Sequence, residues 1–324
     1  MKSARFRLVS FFAVLTAATA AAFSVSACKE DIASPTIDGE LALRYAQGNY
    51  DLGPRVFRTQ GAAKSAEWIE KQALEMPGLL ESGGKVRIVG AGLIKNVEII
   101  LPPTVRNTAQ EDEGDFIVIG AHHDTKALFD APGFAGANDG ASGVGALLAM
   151  ARACAEHMQT RPLPCGIRFV FFDGEEALYQ YTNTDGLVGS RDYVAMLRRD
   201  GLLERCRAMI LLDMIGDKDL HIDLAGNSTP ALAKLVTAEA SAAGYADKFS
   251  LGSTDMLDDH YPFLLAKIPA VDLIDFNYGP DNCYWHTGAD TMDKISAESI
   301  KTAADVALRV VWRLAATGFE DLPK

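Results

Sequence analysis

Five short segments of this chain each offer a side chain that can bind a metal. They are Ala121-His122-His123-Asp124, Gly136-Ala137-Asn138-Asp139-Gly140, Phe172-Asp173-Gly174-Glu175-Glu176, Leu212-Asp213-Met214-Ile215-Gly216 and Trp285-His286-Thr287. Imidazole nitrogen and carboxylate oxygen are donors that zinc takes readily, and a catalytic zinc keeps one position open for water or substrate. The adjacent acids Glu175 and Glu176 can divide the labour, one on the metal and the other free as a general base. His122 and Asp124 are two apart in extended chain and face one side. That assigns His122 as a ligand and Asp124 as the carboxylate that orients it, with His123 pointing away. Asp139 lies among small residues that let the backbone approach an ion, although the same residues also suit a helix N-cap with turn glycines. Asp213 ends an apolar run, where a buried carboxylate needs a metal or an amine as partner.

The elements that must carry these residues are strands alternating with helices. Residues 116–120, 167–172, 208–214 and 270–274 are apolar runs suited to buried strands, and 85–101 reads as paired strands around Gly90-Ala91-Gly92. Helical patterns fall at 62–75, 140–157, 190–199, 229–243 and 296–316. The alternation predicts an α/β fold, a mostly parallel central sheet covered by helices on both faces, in a single domain. His122, the Glu175-Glu176 pair and Asp213 then fall at the carboxyl ends of three strands, where open α/β sheets bind ligands. Neither phosphate-loop pattern fits the glycines around Asp139, and Ser142 is not in a nucleophile elbow. Asp258-Asp259-His260 is a further polar cluster, readable either as a pocket element or as a helix start with acids in its first turn.

The chain begins with basic residues Lys2, Arg5 and Arg7, an apolar run from Leu8 to about Phe23, and Val25-Ser26-Ala27-Cys28. This reads as a secretory leader over 1–27 with Cys28 as a bacterial lipidation site, a tether over 28–39, and a catalytic domain over 40–324. The expected location is the bacterial cell envelope, with the enzyme lipid-anchored and facing the periplasm or exterior; plain secretion is the alternative. Removing the leader takes the net charge from −12 to −15. Such a surface does not suit nucleic acid, and the only membrane contact expected is the lipid at Cys28. Among Cys154, Cys165, Cys206 and Cys283 there is no Cys-x-x-Cys pair, so a thiolate metal site is not indicated. In an oxidising envelope Cys154 and Cys165, which bracket a helix-to-strand turn, are the first candidates for a disulfide.

With these residues in hand, the chain resembles the M28 zinc metallopeptidases over roughly residues 60–315. The resemblance places that family's metal ligands on His122, Asp139, Glu176, Asp213 and His286 and its general base or acid on Glu175. Within the family it is most similar to the glutaminyl-peptide cyclotransferase branch. Two stretches carry this: the long loop Leu178–Gly186 between the Glu pair and Leu187-Val188-Gly189-Ser190, and Asp258-Asp259-His260-Tyr261-Pro262-Phe263-Leu264, whose Asp258 stands at a catalytic position. The implied pocket residues are Trp285, Tyr181 and Asp272, the last two standing where animal cyclases carry Trp and His. The resemblance implies peptide substrates with a free N-terminus. It implies one zinc on Asp139, Glu176 and His286 with Asp213 on the substrate if the chain is a cyclase, and two zincs if it is an aminopeptidase. A catalytically silent binding protein on the same fold would have lost ligands or base, and this chain retains them all.

Overall fold

The computed structural model describes residues 34–104, 114–320 and 322; the leader, Cys28 and the tether up to residue 33 lie outside them. Residues 35–39 run along the fold, with Ile37 buried and its N–H on Asp305 Oδ1 at 2.8 Å. They lead into α1 (Gly39–Tyr50), capped by the Asp38 side chain, and then α2 (Gln60–Leu74), capped by Thr59. There follow β1 (Lys85–Val89), β2 (Asn96–Leu101), β3 (Phe116–His122), α3 (Gly143–Met158), β4 (Gly166–Phe172) and α4 (Val188–Arg199). The chain continues through β5 (Cys206–Asp213), β6 (Ile222–Leu224), α5 (Pro230–Ala242), β7 (Phe249–Leu251), α6 (Tyr261–Leu265), β8 (Ala270–Ile274) and α7 (Ala297–Thr317).

The described strands form one eight-stranded sheet in the order β1-β2-β4-β3-β5-β8-β6-β7. Its centre, β4-β3-β5-β8, is parallel, whereas β1 and β2 join antiparallel at one side and β6 pairs antiparallel with β8 at the other. The expected mostly parallel α/β sheet is therefore present. Alternation along β3 shows why its sequence is an unbroken apolar run. Ile117, Ile119 and Ala121 pack under α1, α2, α3 and α7, while Phe116 and Val118 pack under Tyr193, Val194 and Leu197 of α4 and Phe263 of α6. With both faces dry, no position on the strand can be polar until the chain leaves the sheet at His122.

A few elements depart from the expectation. Helix α1 lies just past the expected tether and packs on α3 and α7 through the small residues Ala42 and Ala46. The short strands β6 and β7 are present although no periodicity marked them. The disulfide between Cys154 and Cys165 is not formed. All four described cysteines are free, Cys154, Cys165 and Cys206 buried and Cys283 exposed. Sequence proximity across a turn does not aim two Cβ vectors at each other, and here both thiols are packed into the apolar core under α3 instead.

One charge cluster is buried within the sheet face under α4. Glu98 on β2 accepts hydrogen bonds from Arg168 Nη1 at 3.0 Å and Tyr193 Oη at 2.5 Å through Oε1, and from Arg87 Nε at 2.6 Å through Oε2. The Arg168 guanidinium also lies 4.0 Å from the Phe116 ring centroid. Breaking a buried pair by removing one partner costs far more than a surface pair does. Glu98→Ala is expected to lower the unfolding free energy by about 3–5 kcal/mol, read as a fall in the urea midpoint at unchanged slope.

Candidate metal centre

The donor side chains of all five sequence segments meet at one edge of the sheet. His122 Nε2 lies 3.2 Å from Asp139 Oδ1 and 3.2 Å from Asp213 Oδ1. His286 Nε2 lies 3.2 Å from Asp139 Oδ2 and 2.8 Å from Glu176 Oε1. Two sets of donors result, His122 with Asp139 and Asp213, and Asp139 with Glu176 and His286, each with ligand atoms within 4.8 Å of one another. Asp139 belongs to both and turns one oxygen to each.

Each donor is delivered by its own local geometry. His122 is the last residue of β3, and His123 turns the other way to contact the Lys95 carbonyl at 3.0 Å. Asp124 lies 3.7 Å from His122 Nδ1, and its two oxygens accept the N–H groups of Glu175 and Glu176 at 3.1 and 3.2 Å. One carboxylate thus faces the imidazole and fixes the Glu pair. Asp139 sits at a break in the turn 137–142, with φ −81° and ψ 89°, followed by Gly140 at φ 103°. A Cβ on Gly140 would stand 2.9 Å from the Asp124 carbonyl, and one on Gly143 would stand 2.7 Å from Ala121 Cβ, so both glycines allow a close approach. Asp139 caps no helix here; its side chain faces the two imidazoles. His286 has φ 51°, a left-handed conformation uncommon for a non-glycine residue. Its ring stacks on Trp285 at 4.0 Å between centroids, and Phe134 meets it edge-on at 6.3 Å.

Several positioning residues had no sequence signal. Asp290 takes the N–H of Asn138 at 2.8 Å and of Asp139 at 3.1 Å, and its Oδ1 also accepts from Tyr278 Oη at 2.7 Å. Its place four residues beyond His286 is the spacing that could have marked it. Arg55 is fully buried and donates to the carbonyls of His123 at 2.9 Å and Ala135 at 2.6 Å, tying the His122 loop to the Asp139 loop. Asn138 reaches the chain beyond Asp213 by donating to the Met214 carbonyl at 3.1 Å and accepting from Gly216 N–H at 2.7 Å. Lys126 lies 3.1 Å from Glu176 Oε2.

The electrostatics separate the acids into two kinds. Burial alone would raise Asp139, yet the His122 and His286 imidazoles hold its carboxyl well below the usual range. The same contacts overcome burial at the imidazoles: His122 is raised well above its usual value, and His286 is raised to about 10. Glu175 goes the other way, raised by burial and then by its neighbours Glu176 and Asp258. Asp258 and Asp272 are also raised, first by burial and then by the surrounding acids. Asp139 Oδ2 and His122 Nδ1 are buried without a hydrogen bond. A mixed imidazole and carboxylate donor set with an orphaned carboxylate oxygen fits a divalent metal such as zinc.

The expected pocket residues divide. Tyr181 reaches in from the 178–186 loop and donates from Oη to Glu175 Oε1 at 2.9 Å. Trp285 flanks the site through its stack on His286. Asp272 is fully buried on β8, with its Oδ2 3.6 Å from His260 Nδ1. Asp258 is buried too, and its Oδ1 accepts the Asp259 N–H at 2.6 Å.

A sequence profile described as "Peptidase family M28" matches residues 104–311, well over half of the chain. The chain belongs to peptidase family M28. Among the members it is similar to is the glutaminyl-peptide cyclotransferase of Drosophila melanogaster, 29% identical over 205 residues that make 56% of this chain and 56% of that protein. Another is aminopeptidase YwaD of Bacillus subtilis, 29% identical over 208 residues, 61% of this chain and 41% of that protein. The chain thus spans less than two thirds of either M28 relative. The crystal structure of an Acidobacteriales bacterium glutaminyl cyclase matches with a TM-score of 0.76 at 31% identity, covering 88% of this chain and 97% of that one. The M28 match includes every donor described above.

Two outcomes follow from this geometry. Asp290→Ala frees the backbone at Asp139 and is expected to weaken binding of a divalent metal by about 10–100-fold in competition with a chromophoric chelator. His260 gives a pH signature of stability. Burial lowers its imidazole to about 4, so the folded state refuses the proton that the unfolded chain accepts near 6.5. That contribution is complete above pH 6.5 and is lost as pH falls toward 4, by about 3 kcal/mol. In urea titrations from pH 7 to 4, His260→Gln should show a shallower loss of stability than the native chain.

Proposed function

We propose that this chain is a zinc enzyme acting at the free N-terminus of peptides, and that it converts N-terminal glutamine to pyroglutamate with release of ammonia. The observation that carries enzymatic activity is the place of Glu175, which is buried beside both donor sets and belongs to neither. Its environment favours holding a proton, which is what an acid-base group needs between two transfers. The cyclase branch is supported by the near full-length likeness to the Acidobacteriales glutaminyl cyclase and by the loop 178–186 that brings Tyr181 onto Glu175.

In this reading Asp139, Glu176 and His286 hold one zinc, and Asp213 and Asp258 meet the substrate amine. The zinc supplies Lewis-acid polarisation of the γ-amide carbonyl. Glu175 takes a proton from the α-amine as its nitrogen forms a bond to the γ-amide carbon. Glu175 then gives that proton to the departing amide nitrogen as the carbon–nitrogen bond breaks, leaving ammonia and a closed lactam. Trp285 and Tyr181 flank the reacting groups and limit access of water.

A second reading rests on Asp139, whose two oxygens face two separate donor sets and so fit two ions. The chain would then be an aminopeptidase, with Glu175 taking its proton from the water that attacks the first peptide bond. Mass spectrometry of a Gln-peptide and a Leu-peptide, incubated with the zinc-loaded protein, separates the two. The expected result is loss of ammonia from the Gln-peptide alone, slowed at least about 100-fold by Glu175→Gln. Removal of the first residue from either peptide would establish the aminopeptidase. Two unchanged peptides would refute both.

A further inference from the structure

The two acids of the Glu175-Glu176 pair are held differently, Glu175 through its Oε1 alone and Glu176 through both oxygens. Glu176 Oε1 faces His286 Nε2 at 2.8 Å, whereas its Oε2 receives Lys126 Nζ at 3.1 Å and has Tyr181 Oη at 3.5 Å. Lys126 is itself held in place. Its neighbour Thr125 accepts the Arg55 N–H at 2.9 Å, and its own ammonium lies 5.4 Å from the centroid of the Tyr181 ring. Tyr181 is fixed in turn by its loop. Asp185 accepts the N–H groups of Leu178, Tyr179 and Gln180 at 2.7, 2.9 and 3.2 Å. The Tyr181 ring lies against Gly186, where a Cβ would stand 2.3 Å from Cδ1. The ammonium is therefore placed by two loops and is largely covered, with its side chain 18% exposed.

A carboxylate can bind a metal through one oxygen or through both, and a catalytic zinc needs a position left open. A cation on Glu176 Oε2 opposes the second bond and also repels the metal. We propose that Lys126 is a positioning residue that restricts Glu176 to its Oε1, giving up metal affinity to keep a coordination position free for substrate. The inference rests on the zinc reading above and is independent of which reaction the enzyme performs.

The test compares Lys126→Met, which keeps the length and the contact with Tyr181, with Lys126→Arg, which keeps the charge. Zinc affinity is measured by chelator competition, coordination number by zinc X-ray absorption, and turnover on the Gln-peptide. Lys126→Met should bind zinc at least about tenfold more tightly. It should gain an oxygen in the coordination shell and lose kcat by a similar factor. Lys126→Arg should keep zinc affinity within about threefold, because the cation remains on Oε2. A damaged site cannot bind zinc more tightly, so misfolding cannot imitate the result. Equal or weaker affinity in Lys126→Met, or an unchanged coordination number, would overturn the proposal. If the native protein binds zinc but releases no ammonia, the cyclase reading fails and the affinity comparison still decides the role of Lys126. A native protein that binds no zinc would sink both.

Discussion

Mutual repulsion among buried carboxylates governs this molecule. Asp139, Glu175, Glu176, Asp258, Asp259 and Asp272 are all buried within one region, with Asp213 beside them. Like charges in a poorly solvated space cannot all ionise unless cations are supplied. The fold resolves this unevenly. Asp139 receives two imidazoles and stays ionised, while Glu175 receives acids as neighbours and is driven toward its protonated form. Environments that push carboxyl groups apart in this way separate a ligand from a proton carrier.

The backbone answers the same constraint. Parallel strands β3, β4 and β5 end together, so the residues that leave the sheet there share an edge. The loop after the Glu pair is closed at its base by Leu187 N–H on the Glu175 carbonyl and Val188 N–H on the Gly174 carbonyl, both at 2.8 Å. Those two bonds fix where the loop leaves and rejoins the Glu pair, and Tyr181 within it reaches back onto Glu175.

The donors were legible in the sequence because each follows a stretch whose burial leaves no choice of residue type. His122, Glu176 and Asp213 stand where apolar strands emerge, and Asp139 stands among residues too small for any role but close packing. The sheet was legible for the same reason. The supporting residues were not. Arg55, Asp290 and Lys126 act over separations of 50 to 152 residues, and no local period records such contacts. β6 and β7, at three residues each, are too short to show a period of two. α1 packs through alanine and glycine, so its inner face carries little of the apolar signal on which a helix is recognised.

The buried thiols carry one further consequence. Burial drives the Cys154 thiol well up, and the Cys165 and Cys206 thiols up to about 12, so none forms thiolate readily, and none is joined to another. Oxidants and exchange catalysts act on the thiolate. Among the described residues the fold therefore holds no disulfide for a reductant to break, and its three buried thiols are poor targets for oxidants, which leaves the exposed Cys283 as the thiol open to them.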